Sequence, residues 1–368
     1  MKYFDTYVSN TVAGSGNQLY FVADGVQTGR VFYKITCGGR YDYSLLFSNV
    51  IDSTFADGAK SHKNLICDEW TIHSARVGRL AADGIPAGFT SPEVAAAVNG
   101  AVTGLVPLTF DGVREKTVAP GEFFTTDPLS LNFAEGDYLC LEMTVSGSMI
   151  PYHQESLLPA FVETATGWEY RKTTPFAGMI GCNRPVRARV GYLGDSITQG
   201  IGVVPNSYKH WNALLSDMLG QDYAFWNLGL GYGRADDLGA DGAWLYKARQ
   251  NDITVLCAGV NDLNRGFTAE QIIKNLTTVV DTLSVRGQKI ILQTVPPFNY
   301  DELRTERWNA VNEHIKTVLS SKVAFVFDTV PVLGAKDRPA QAIYGGHPNE
   351  EGSALWAEAL YDACKNLF

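Results

Sequence analysis

Val190-Gly191-Tyr192-Leu193-Gly194-Asp195-Ser196-Ile197-Thr198-Gln199-Gly200 joins a short apolar run to a small, polar, glycine-flanked segment. The apolar residues have the length and character of a buried strand, and a helical pattern begins near Asn206. In an open parallel sheet, the turn between such a strand and helix exposes a reactive side chain. Ser196 is therefore the candidate nucleophile. Taken alone, Gly-Asp-Ser equally suits an ordinary turn or helix cap, so the surrounding chain must distinguish the two.

Downstream, apolar runs alternate with helical ones. Strands are expected at 188–193, 222–227, 252–258, 289–295 and 323–327, and helices at 206–219, near 236–248, 268–285, 302–320 and 350–366. Thr268 and Gln271 have capping-box spacing. Ile272, Ile273, Leu276, Val279, Val280 and Leu283 then recur at helical intervals, with Gly287 just past the end. Strand followed by helix, repeated in this way, specifies an α/β fold with a doubly wound parallel sheet over 186–368.

Residues 1–185 read differently. Gly, Thr, Phe and Tyr are frequent, and short alternating runs such as 19–22, 41–47 and 138–145 are separated by turn signals at 56–58, 110–113, 119–121 and 134–137. This spacing predicts an all-β, jelly-roll-like sandwich, with 91–105 either a short helix or a loose excursion. Asn183-Arg184-Pro185 marks the expected boundary. The segment 149–154, with Tyr152 and His153, is expected either as a loop facing the catalytic face or as an inter-domain contact.

The chain has 368 residues, enough for two domains, with 45% hydrophobic and 19% charged residues. A net charge of −9 without a dense Lys/Arg cluster argues against nucleic-acid and anionic-membrane partners. No apolar run reaches the roughly 18 residues of a membrane span, and the N-terminal residues lack the apolar core of a signal peptide. Six cysteines are scattered with no Cys-x-x-Cys pair, as expected of buried free thiols in the cytoplasm.

Functional groups in such a sheet gather where strands end. Ser196 follows the first strand of the α/β half. After the second comes the glycine-rich loop 227–233, whose amides can face an anion. The third leads to Gly259-Val260-Asn261-Asp262, and Gly345-Gly346-His347-Pro348-Asn349 enters the last helix. A hydroxyl, backbone donors, a side-chain amide and an imidazole together compose an acyl-transfer site. Singly, each has a plainer use: a helix cap, a tight turn, a turn cap, an exposed loop histidine.

In these four blocks the sequence resembles the SGNH (GDSL-type) hydrolases, over roughly 186–368. The resemblance implies a three-layer SGNH-type fold and a serine esterase needing no cofactor or metal. It makes Ser196 the nucleophile and His347 the base. The oxyanion hole would take the Ser196 amide, an amide of Gly231, Tyr232 or Gly233, and the Asn261 side chain, with Asp195 and Asp262 as supporting residues. Two positions depart from the family pattern. Tyr344 stands where an acid usually orients the histidine, which implies either a Ser–His dyad, with a backbone carbonyl or a distant acid (Asp328, Asp337) on the other ring nitrogen, or an impaired enzyme. Tyr232 replaces the usual loop glycine, with Gly231 and Gly233 expected to supply the conformational freedom.

A β-sandwich ahead of such a domain is similar to two-domain carbohydrate acetylesterases. The expected substrate is a short acyl ester, an O-acetyl group foremost, on a small molecule or oligosaccharide, and the protein is expected to be soluble, with oligomers open. Lipase, lysophospholipase or thioesterase action on longer chains is one alternative. A carbohydrate-binding protein with impaired catalysis is the other.

Overall fold

The computed structural model describes residues 2–54, 62–175, 178–334 and 346–368. The 56–58 turn signal, Asp337, Tyr344 and Gly345 lie outside the described residues. The chain divides into two compact units: residues 1–52, 64–185 and 204–207, and residues 53–63, 186–203 and 208–368.

The first unit is all-β apart from short helices. Its larger sheet is antiparallel and built on two 16-residue strands, β1 (Leu19–Lys34) and β4 (Tyr138–His153). β1 pairs with β5 (Ala160–Thr164) on one edge, and β4 pairs with β3 (Trp70–Leu80) on the other. The smaller antiparallel sheet is centred on β2 (Gly39–Ser48). The sheets meet through aromatic side chains: Trp70 of β3 packs edge-on against Phe124, whose strand pairs with β2. On the opposite face of the large sheet, Phe32, Tyr138, Cys140 and Phe161 form a buried cluster with Ala95 and Val98 of helix α1 (Pro92–Gly100). Ser91 caps that helix and Pro92 opens it, which settles 91–105 as containing a helix.

Residues 149–153 belong to β4 and are not a loop. Tyr152 and His153 pair with Pro175 and Thr174, and the His153 ring, 2% exposed, bonds the Gly16 carbonyl through Nδ1 at 2.8 Å. The alternation of the preceding strand simply continues, and β4 finds partners on both edges.

The second unit holds a five-stranded, all-parallel sheet: β6 (Ala188–Gly194), β7 (Tyr223–Gly229), β8 (Ile253–Cys257), β9 (Lys289–Gln293) and β10 (Phe325–Phe327), in the order β7-β6-β8-β9-β10. β7 and β8 are buried throughout, as strands covered on both faces must be. Helices α3 (Trp211–Leu219) and α10 (Glu350–Cys364) pack together, with Trp211 stacked on Trp356 at 5.0 Å. Helices α4 (Ala235–Gly239), α7 (Ala269–Ser284) and α8 (Glu302–Thr317) form another packed group. The Thr268–Gln271 capping box is present at the start of α7.

Two expected helices differ. The one expected from 206 begins at Trp211, because Asn206 and Tyr208 take left-handed backbone, φ 61° and 54°, which a helix cannot continue through. The one expected near 236–248 is split into α4 and α5 (Ala243–Ala248) by Asp241 at φ 50°. Short helices α2 (Ser196–Gln199), α6 (Val260–Asn264) and α9 (Val330–Leu333) are too brief to carry a periodic signal. Among the described residues no helix is long and apolar enough to cross a membrane. All six cysteines are buried, and none forms a disulfide among the described residues.

Candidate active site

β6 is the switch point of the sheet: β7 pairs along one side of it and the next strand, β8, along the other. Its last residue, Gly194, lies opposite Gly229 of β7 and Cys257 of β8. The loops bearing Ser196, the glycine-rich turn and Asn261 therefore leave the sheet from one row. That is the crevice in which doubly wound folds bind ligands.

Ser196 is the first residue of α2. Asp195 caps this helix, its Oδ1 accepting the Ile197 N–H at 3.0 Å, and the Gly200 N–H closes it on the Ser196 carbonyl. Ser196 remains partly exposed, while the backbone beneath is held by Trp211 Nε1 on the Ile197 carbonyl and Asn212 Nδ2 on the Thr198 carbonyl. His347 arrives on the chain entering α10, whose first turn is capped by Asn349 Oδ1 accepting the Gly352 N–H. Its Nε2 lies 2.8 Å from Ser196 Oγ, where an unprotonated ring nitrogen accepts the hydroxyl hydrogen.

The His347 ring is 6% exposed and meets the Phe298 ring edge-on at 5.3 Å. Gly202 passes so close that a Cβ there would fall 2.3 Å from the Pro348 carbonyl oxygen. Asp328 Oδ1 accepts from Thr294 Oγ1 and the Val330 N–H, and Oδ2 pairs with Lys316. The described partners of Asp328 thus lie elsewhere than His347.

Leu230–Gly233 forms a tight turn closed by the Gly233 N–H on the Leu230 carbonyl. It is pinned at both ends. The Leu230 N–H donates to the Gly194 carbonyl at 3.0 Å, and Asn261 Nδ2 donates to the Gly233 carbonyl at 3.0 Å. The third residue, Tyr232, has φ 62°. A type II turn needs this hand of backbone at its third position to swing the central peptide over, and glycine usually supplies it. The left-handed residue is Tyr232 itself, whereas Gly231 and Gly233 were expected to supply the freedom. Gly233 is required for space instead, since a Cβ there would lie 2.5 Å from the Trp244 ring.

Asn261 retains a second amide hydrogen besides the one given to Gly233. Its neighbour Asp262 is fully buried and caps α4, accepting the Ala235 N–H at 2.9 Å and the Asp236 N–H at 3.2 Å. The two buried carboxyls respond to their surroundings in the same direction. Burial, reinforced by Asp262, pushes Asp195 up to about 7, against the lowering effect of the Ile197 N–H. Burial, reinforced by Asp237, pushes Asp262 up to about 6, against its two backbone donors and Arg234.

Ser196, His347, Asn261 and the loop 230–233 were all legible in the sequence as strand-end groups. Phe298, Gly202 and Trp244 were not. Their roles are contact and clearance, which appear only once the chain is folded.

Residues 192–355 match the family model described as the GDSL-like Lipase/Acylhydrolase family. No curated protein sequence matches the chain. Among solved structures, it is similar to Est24, a carbohydrate acetylesterase from Sinorhizobium meliloti, at 18% identity over 50% of this chain and 100% of that one, TM-score 0.42. It is similar to an aryl esterase of M. Smegmatis at 18% identity over 49% and 99% of the two chains, TM-score 0.41. A lipolytic protein of the G-D-S-L family from Veillonella parvula DSM 2008 is 20% identical over 48% and 98%, TM-score 0.43.

Proposed function

We propose that this chain, which matches the GDSL-like lipase/acylhydrolase model over residues 192–355, is an ester hydrolase that removes short acyl groups, O-acetyl foremost, from a carbohydrate. The observation that carries the mechanism is the 2.8 Å approach of Ser196 Oγ to His347 Nε2. His347 takes the hydroxyl proton as Ser196 Oγ attacks the ester carbonyl. The oxyanion that forms is met by the Ser196 amide, the Tyr232 amide swung outward by its turn, and the free hydrogen of Asn261 Nδ2. His347 then gives its proton to the departing sugar hydroxyl. Water, deprotonated in turn by His347, releases the carboxylic acid and restores Ser196.

Asp195 and Asp262 act at one remove, bracing the backbone beneath the nucleophile and the start of α4. The seating of Ser196 against His347 favours a working enzyme over an inactive sugar-binding relic. The Tyr232 side chain, at a loop position where the family carries none, favours a short acyl group. The reading is tested with p-nitrophenyl acetate and octanoate. Acetate should be the better substrate, Ser196→Ala should abolish turnover, and a serine-reactive phosphonate should label Ser196. Full activity in Ser196→Ala would end the mechanism, and preference for octanoate would end the short-acyl assignment.

A further inference from the structure

The large sheet of the first unit has a hollow that the catalytic chemistry does not use. On the face of β1 turned away from α1, Tyr33 and Val31 are fully buried, and the next residue on that face is Gly29. β5 ends its pairing with β1 here, with Val162 opposite Gly29, while β4 runs on with Val145 opposite Gln27. The missing side chain opens a cavity of about 250 Å³ floored by Gly29, Val145 and Val162. This is just below the ~300–1,000 Å³ of drug-sized ligand sites and suits a single small ring. Phe21 forms one wall and lies 6.3 Å from the Tyr152 ring. Gln27, Arg171 and Thr173 add polar groups to the lining.

The lining is an aromatic face and an apolar floor with an amide, a hydroxyl and a guanidinium among them. A pyranose presents the matching surfaces, a C–H face for the ring and a rim of hydroxyls for the polar groups. An anionic ligand is disfavoured because Arg171 already has a carboxylate partner, Glu169 at 3.3 Å. A plain acyl chain is disfavoured because it would leave the Gln27 and Thr173 side chains without partners. We propose that this cavity is a binding site for a neutral sugar residue, through which the chain holds the carbohydrate that bears the ester. The carbohydrate assignment rests on the function proposed above. The cavity is otherwise argued from its own lining.

The test uses the full chain carrying Ser196→Ala, so that nothing is turned over. Saturation-transfer NMR is run with methyl β-D-glucopyranoside, methyl β-D-galactopyranoside, methyl β-D-xylopyranoside and N-acetylglucosamine, and with octanoate as the apolar competitor. At least one sugar should bind with a Kd of about 1 mM or tighter, and Gly29→Val should weaken it at least about tenfold. Gly29 lies in a strand without left-handed backbone and lines the hollow, so valine there suits the strand and takes up its space. Phe21→Ala should weaken the same sugar comparably. If Gly29→Val does not fold, Arg171→Ala at the exposed rim supplies the same comparison.

Hydrolysis of p-nitrophenyl acetate by Gly29→Val, with Ser196 intact, should match the unsubstituted chain. The proposal is overturned if none of the four sugars binds, if binding survives the substitutions, or if octanoate alone occupies the site. Failure of the unsubstituted chain to cleave p-nitrophenyl acetate would instead overturn the esterase reading, with the binding measurement still standing on its own.

Discussion

Tyr232 keeps a backbone conformation, φ 62°, that costs a non-glycine residue about 1–2 kcal/mol. A turn pinned to Gly194 on one side and Asn261 on the other leaves it no alternative. Glycine would relieve the strain but add about 0.4–1 kcal/mol of unfolded-chain entropy. Tyr232→Gly should therefore change stability by less than about 1 kcal/mol in a urea melt. The proposed oxyanion amide is retained, so kcat on p-nitrophenyl acetate should hold. The octanoate-to-acetate ratio of kcat/KM should rise about tenfold, as one or two methylenes of room are opened. A hundredfold drop in kcat would instead give the phenol a part in the chemistry. Asn261→Ala differs in kind, since it removes the proposed oxyanion donor and also unpins Gly233. Its kcat should fall on the order of 10²–10³-fold with KM little changed, and a variant with unchanged kcat would confine Asn261 to bracing the loop.

Elements were legible in the sequence where their signal was periodic and their ends were marked. α7 is the clearest case, with its apolar stripe buried and its box formed by Thr268 and Gln271 as the spacing implies. Thr268→Ala should cost about 1 kcal/mol, read as a lower urea midpoint with unchanged esterase activity. A loss of activity at constant stability would mean that α7 reaches the site in some other way. Elements were misplaced where backbone hand overrode side-chain pattern. Asn206, Tyr208 and Asp241 all sit in left-handed conformations, which Asn and Asp tolerate and Tyr does not announce, and they delay or split the expected helices. Strand β4 was clear through Val145 but not beyond. Its continuation to His153 depends on pairing with Thr174 and Pro175, which lie distant in sequence. The four blocks of the site were readable because each combines an unusual residue type with a strand end or, for His347, the start of the last helix. The clearances around them were not.

At the scale of the whole molecule, the buried carboxyls beneath the site couple catalytic architecture to pH. The catalytic unit buries both Asp195 and Asp262, and Asp195 Oδ2 has no hydrogen-bond partner among the described residues. Their ordinary values near 3.8 rise to about 7 and about 6 in the fold. The folded chain thus holds these protons to higher pH than the unfolded chain does. Unfolding between about pH 4 and 7 releases them, so stability is full below about 4 and declines as pH rises through 6 to 7. Each carboxyl contributes a slope of up to about 1.4 kcal/mol per pH unit while the two states differ by a full proton. The opposite trend is usual, because most carboxylates gain partners on folding and stabilise the fold as they ionise. Asp195→Asn keeps an oxygen for the Ile197 N–H and removes the charge that burial penalises. Urea midpoints of the two proteins should therefore nearly coincide at pH 4.5 and separate by pH 8, with Asp195→Asn the more stable. If the unsubstituted chain loses nothing between those pH values, or if Asp195→Asn is weaker at pH 8, then Asp195 is ionised in the fold and stabilised by groups other than those around Ile197.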